Sequence, residues 1–279
     1  MAQKNKIFAL LSILSTDEIK QFGLFVSSPY FNRLTNVTLL FKIIKKYHPL
    51  YDSPALSNKK IFMKIFPEAE FNDSRIRSLY SYLYSLAEKF LAAEKYFKAG
   101  NKIHIDIIKE QRKRSLTDYL HKSINEVFSA INDAQIKDQE YFEELYLLQY
   151  EKNHLGSYFK PERDFPIEAE VLSAAYLIKL LKLYATMYNI KSSLNISVDE
   201  ELINKIEALA EIPAFKNIPA VKMNFLLYRV TRYFDEKAFA EFTANTGNLQ
   251  KTFKPEDLYQ AYILLLNFCV IRIREGDNK

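Results

Sequence analysis

Apolar positions recur every three or four residues along almost the whole of this chain, and no stretch keeps the alternation of period two that a half-buried strand needs. The pattern predicts helices throughout. Ser15 and Glu18 are spaced as a capping box, and Ile19, Phe22, Phe25 and Val26 form an apolar stripe behind them. Ser28-Pro29 ends that helix, because the residue before a proline is pushed out of the α region. A second helix is expected over Asn36–Tyr47, with Val37, Leu40, Phe41 and Ile44 inward and Lys42, Lys45 and Lys46 outward. Ser57 is placed to cap a short helix that stops before Pro67. Asn72 is placed to cap the longest early one, expected over Asp73–Lys98. Its Ile76, Leu79, Tyr80, Leu83, Leu86, Ala87, Phe90 and Leu91 keep a helical period, and Gly100-Asn101 closes it.

Further helices are expected near Lys102–Arg114, Leu116–Ala134 and Asp138–His154. Gly156, Pro161 and Pro166 mark a loop, the best internal boundary. A very apolar helix, Ile167–Ile190, reads as central. Ser197 and Glu200 form a second box for a helix to Glu211, and Pro213 and Pro219 bracket a turn. Ala220–Tyr233, Glu236–Leu249 and Glu256–Arg274 complete the series. About a dozen helices with short connections do not fit one four-helix core. The expected fold is all-α, stacked antiparallel helix hairpins in an α-solenoid or TPR-like superhelix. The tetratricopeptide signature is absent, so any repeat is degenerate. We divide the chain into a basic region 1–100, middle helices 101–160 and a C-terminal helical-repeat region 161–279, which can also be one continuous array. The last helix is strongly apolar, with Leu258, Tyr262, Ile263, Leu265, Leu266, Cys269 and Ile273, where a solenoid ends in a polar cap. That contrast leads us to expect a longer protein or a partner over this helix.

Composition narrows the function classes. With 48% hydrophobic and 26% charged residues the chain can bury a core and is not of the disordered type. Only 5 glycines count against phosphate-cradling loops and tight hairpins. The single Cys269 excludes an internal disulfide, and its apolar surroundings, LLLNFCVI, predict a buried, inert thiol. The apolar stretch after Lys4 and Lys6 is too short for an export signal. Val171–Ile190 carries Lys179 and Lys182 at its middle, which reads as a buried helix with snorkelling lysines rather than a membrane span. A cytoplasmic protein is expected. Charge is uneven: Met1–Lys122 holds 21 Lys+Arg against 11 Asp+Glu, a balance of +10, while Ser123–Lys279 holds 18 against 23, a balance of −5. Such asymmetry fits an anionic partner for the first part, attraction between the two parts within one molecule or between copies, or a plain drift of charge along helix surfaces.

One set of residues has a family likeness. The run Phe22-Gly23-Leu24-Phe25-Val26-Ser27-Ser28-Pro29-Tyr30-Phe31-Asn32, then Phe62–Pro67, Arg75-Ile76-Arg77 and Leu83–Leu91, resembles the N-terminal part of an uncharacterised family of bacterial helical proteins. Leu266–Cys269 with Arg272 and Glu275-Gly276 resembles a mid-chain segment of the same proteins. The resemblance implies a helical fold in a longer chain and no assigned activity.

Candidate chemistry is sparse. Tyr30 and Phe31 sit between two helices. They suit either an aromatic docking site or a plug for the helix junction, with Asn32 capping the next helix. Ser57–Leu83 can be read as a helix-turn-helix in which Arg75 and Arg77 open the second helix, with Lys59, Lys60 and Lys64 nearby, although the turn PEAEFN is long and acidic. Lys109, Arg112, Lys113 and Arg114 form the densest basic run, which reads more readily as a solvated helix face than as a phosphate-binding patch, since Asp106 and Glu110 dilute it. Asp118 with His121 and Glu151 with His154 have the carboxylate-x-x-His spacing of di-metal bundles. Glu151 and His154 are expected in a frayed, wet last turn, so no metal site is predicted. Walker, dinucleotide and Gly-x-Ser-x-Gly signatures are missing.

The leading expectation is a non-catalytic scaffold that binds a protein or peptide through a groove of aromatic and polar residues. The alternative is nucleic-acid binding through the basic N-terminal region. No cofactor and no membrane are implied, and the sequence sets no oligomeric state.

Overall fold

The computed structural model describes residues 5–116, 119–155, 164–194, 197–245, 247, 249, 252–274 and 276. Among the described residues there are fourteen α-helices and no strand. The chain divides into two compact units, Met1–Ala99 and Gly100–Lys279.

The first unit holds α1 (Lys6–Ser12), α2 (Thr16–Ser27), α3 (Thr35–Ile44), α4 (Asn58–Ile65) and α5 (Asp73–Phe97). The capping box at α2 forms as the sequence predicts: Ser15 Oγ accepts from the Glu18 amide and the Glu18 carboxylate accepts from that of Ser15. Asn72 caps α5 by accepting from the Arg75 amide. α5 is the hub, because α1, α2, α3 and α4 all pack against it. Its Ile76, Tyr80, Leu83, Leu86, Ala87 and Phe90 face the core. Aromatic rings knit that core together: Phe22 meets Phe41 edge-on at 5.0 Å and Phe90 at 5.3 Å. Gly23 lets α2 approach α3 closely, since a Cβ there would lie 3.2 Å from the Phe41 ring.

The second unit holds α6 (Asn101–Lys113), α7 (Leu120–Asn132), α8 (Gln139–Asn153), α9 (Phe165–Leu194), α10 (Glu200–Glu211), α11 (Pro213–Lys216), α12 (Pro219–Tyr233), α13 (Glu236–Ala244) and α14 (Pro255–Arg274). Its core comes in three pieces. Ile105, Ile108, Leu120, Ile124, Val127 and Ile131 close one among α6, α7 and α8. α9, α10, α11 and α12 enclose the second, around Ile178, Leu181, Ile203 and Tyr228, with Leu264 of α14 at its edge. The third lies among α12, α13 and α14, around Val230, Phe242 and Phe268. α12 serves two pieces and buries nine of its fifteen residues.

Several expectations need correction. α10 starts at Glu200, capped by Asp199, whose carboxylate accepts from the Leu202 amide, so Ser197 and Glu200 do not form the box. Pro166, Pro213 and Pro219 were expected as loop residues, yet each sits in the first turn of a helix. A first-turn proline loses nothing, because its missing N–H would have had no helical partner. α1 and α11 were not predicted. Gly156 and Pro161, the proposed boundary, lie outside the described residues.

α9 is long and apolar enough by composition to cross a membrane, but its Ala174, Leu177, Ile178, Leu181 and Ala185 are buried against neighbouring helices. Lys182 pairs with Asp257 at 2.6 Å rather than reaching free water.

Candidate functional site

The residues singled out from the sequence are mostly engaged within their own units. Tyr30 does not plug the junction, for it is 87% exposed. Phe31 stacks on Phe25 with ring centres 4.0 Å apart, and Tyr30 stands edge-on to it. Asn32 fastens the junction instead of capping α3. It is buried, its amide donates to the carbonyl of Val26 at 2.8 Å and to Thr38 Oγ1 at 3.1 Å, and its oxygen accepts from the Leu34 amide at 2.8 Å. The Arg75 guanidinium lies 3.7 Å above the centre of the Phe66 ring, and Arg77 pairs with Asp73 one turn back. Lys59, Lys60 and Lys64 are exposed on α4.

In the second unit the basic run is answered locally. Glu110 takes both Lys113, at 2.8 Å, and Arg114. These contacts hold its carboxyl low, at about 2. Lys109 is exposed. Arg112 reaches across from α6 to grip Glu151 of α8, at 2.5 Å from Nε and 3.4 Å from Nη2. Glu151 is buried rather than wet, and His154 turns its Nδ1 to the Tyr150 carbonyl at 2.8 Å. His121 is exposed, and Asp118 lies outside the described residues. Among the described residues no three His, Cys, Asp or Glu side chains gather as metal ligands.

A different place concentrates shape and chemistry. α10, α12 and α13 leave a groove with two adjoining cavities of about 530 and 500 Å³, which share Glu211, Phe225 and Arg229. Small residues make the room: Ala208 and Ala210 on α10 and Ala238 on α13. Phe225 is half-buried in its wall. Two ion pairs fix α13 against α12, Lys222–Glu241 at 2.6 Å and Arg229–Asp235 at 2.8 Å. Asp235 also caps α13, and hydrogen bonds from the Ala238 amide and Arg229 hold its carboxyl below the usual range.

At one end of the groove stands Arg232, among the rings of Tyr188, Tyr228 and Tyr233 at 4.8 to 5.9 Å. It donates to Glu200 at 2.6 Å and to Asn204 at 3.2 Å, and pairs with Glu207 at 3.2 Å. Glu207 in turn accepts from the hydroxyls of Tyr228 at 2.7 Å and Tyr233 at 2.8 Å. Burial, then the bond to Glu200, pushes the Tyr188 hydroxyl up to about 12. Burial also raises Tyr228 and Tyr233. These phenols are therefore protonated at neutral pH, Tyr188 donating to Glu200 and Tyr228 and Tyr233 to Glu207. The arrangement has the polarity of a recognition surface, with aromatic faces beside held charges.

None of the eight residues Tyr30, Phe31, Arg75, Arg77, Lys109, Arg112, Lys113 and Arg114 lines this groove. Nothing in the sequence analysis singles out Glu207, Phe225, Arg229 or Arg232. The signal available was the run Tyr228-Arg229-Val230-Thr231-Arg232-Tyr233, which sets arginines and tyrosines one helical turn apart. Comparison with family models, curated proteins and solved structures finds no match to this chain.

Proposed function

We propose that the chain is a non-catalytic helical scaffold, and that the groove between α10, α12 and α13 receives a peptide segment of a partner protein. One observation carries this reading: an open groove whose wall is Phe225 and whose rim is Arg229, Tyr233 and Glu211. Aromatic and arginine side chains in a concave site are the usual anchors of protein recognition. α6 packs on α7, α7 on α8, α8 on α9 and α12 on α13, pairings that support a stacked-hairpin, solenoid-like arrangement, while the most extensive contact, α9 with α12, skips α10 and α11. A bacterial cytoplasmic setting and kinship with the helical family that residues 22–32 resemble belong to the same proposal.

Panning a random peptide display library on the purified protein tests it. Selected peptides should bind at least about tenfold more weakly to Phe225→Ala and to Ala208→Trp, which fills the groove from an exposed position. Peptides that bind both variants as well as the parent would overturn the reading.

Nucleic-acid contact stands second. It is favoured by Lys59, Lys60 and Lys64, exposed on α4 with no ion pair among the described residues. Against it, Arg75 and Arg77 are both engaged within the unit. Duplex affinity that falls steeply with salt, and is lost on reversing those three lysines, would promote it.

A further inference from the structure

α14 is apolar on two opposite faces. Ala261, Leu264, Leu265 and Phe268 are buried in the unit. Tyr259, Tyr262, Leu266, Val270 and Ile273 are exposed on the other side, Tyr259 at 65%, Leu266 at 63% and Ile273 at 62%. At 3.6 residues per turn these five fall within about 80° of one another and form a stripe about 21 Å long. An apolar stripe on a helix is normally covered, and here only one of the two is covered within the unit.

We propose that this stripe pairs antiparallel with the same stripe of a second copy of the chain. Two features of the sequence on this face single out that occupant. The gaps between stripe residues run 3, 4, 4, 3 and so read identically from either end, with Leu266 at the centre. A twofold axis through Leu266 sets Tyr259 against the second copy's Ile273, Tyr262 against its Val270, and Leu266 against itself. An interface between identical copies must have this self-complementarity.

Charge gives the direction. Glu256 and Arg274 lie at opposite ends of the helix but on the same flank of the stripe, 18 residues or five turns apart. Both are exposed and neither has a partner among the described residues. Antiparallel pairing brings each Glu256 within about 3 Å, measured along the axis, of the second copy's Arg274. Parallel pairing would set Glu256 level with Glu256 and Arg274 level with Arg274, leaving no opposite charge in reach. Asp257 and Arg272 take no part, being held by Lys182 and Glu236.

Sedimentation equilibrium of the 279-residue chain over a concentration series decides the matter. The mass should rise from 32.7 kDa toward twice that value. Leu266→Glu, at an exposed position, should keep the helical circular dichroism and sediment as monomer throughout. Glu256→Arg should weaken association about fivefold, and adding Arg274→Glu should restore it. A parent chain that stays monomeric into the submillimolar range would overturn the proposal. So would a dimer that survives Leu266→Glu, or a double charge reversal that fails to recover the parent affinity.

Discussion

At the scale of single residues, the tyrosines carry the clearest consequence. Tyr51 and Tyr80 have buried hydroxyls without a hydrogen-bond partner among the described residues, and burial pushes Tyr51 up to about 12 and Tyr80 further. Tyr188 also stands at about 12. In the unfolded chain each phenol ionises near 10, so above that pH the unfolded state sheds protons that the folded state retains. The phenols' contribution to stability should be level below pH ~10 and fall as the pH climbs toward ~12. Urea unfolding followed across that range, with tyrosinate absorbance recorded on the folded protein, checks it; folded-state tyrosines that all ionise near 10 would refute it. Tyr80→Phe removes an unpartnered hydroxyl and should gain about 1 kcal/mol of stability, besides flattening part of the alkaline decline. Asn32 shows the limit of reading residues singly. Its place after Pro29-Tyr30-Phe31 suggested a cap, but its amide answers a carbonyl six residues back and a hydroxyl six residues on, an arrangement set by how α2 meets α3.

Between elements, the decisive contact is Arg112 of α6 with Glu151 of α8. Glu151 is almost fully buried, and Arg112 is its ion-pair partner among the described residues. Arg112→Ala should cost about 3 kcal/mol, because it strands a buried carboxylate. The double variant Arg112→Ala/Glu151→Gln should recover part of the loss by removing the charge. Chemical denaturation of the three proteins tests this, and a single variant as stable as the parent would show that the pair is ornamental. How far elements were legible depends on where their signals lie. α2, α5 and α13 begin where a side chain three residues or fewer from the partner amide caps them, a local event that spacing can reveal. α1 is short, and its cap, Asn5, lacks a following glutamate or glutamine to mark it. Prolines mislead in one direction: they end a helix from inside but open it from the first turn, and Pro213 and Pro219 do the latter. The groove was the least legible, because Tyr188 and Arg232 meet across more than forty residues of chain and no local period encodes that encounter.

For the whole molecule, Met1–Ala99 has a core of its own, with α5 as its centre. Residues 1–99 expressed alone should fold, giving helical circular dichroism and a cooperative melt; a non-cooperative, featureless melt would show that the unit depends on the rest of the chain. The joint to the next unit is Gly100, at φ 58° and ψ −125°, a conformation that suits glycine and strains other residues.

The three-piece core of Gly100–Lys279 has one more consequence. A cavity cut at Ile124 opens into the piece built by α6, α7 and α8 with Leu155, and one cut at Phe242 into the piece built by α12, α13 and α14 with Leu249 and Phe253. Damage is thereby quarantined. Lesions at Ile124 and Phe242 should therefore add in their cost to stability, whereas the two pieces that share α12 should not vary so independently.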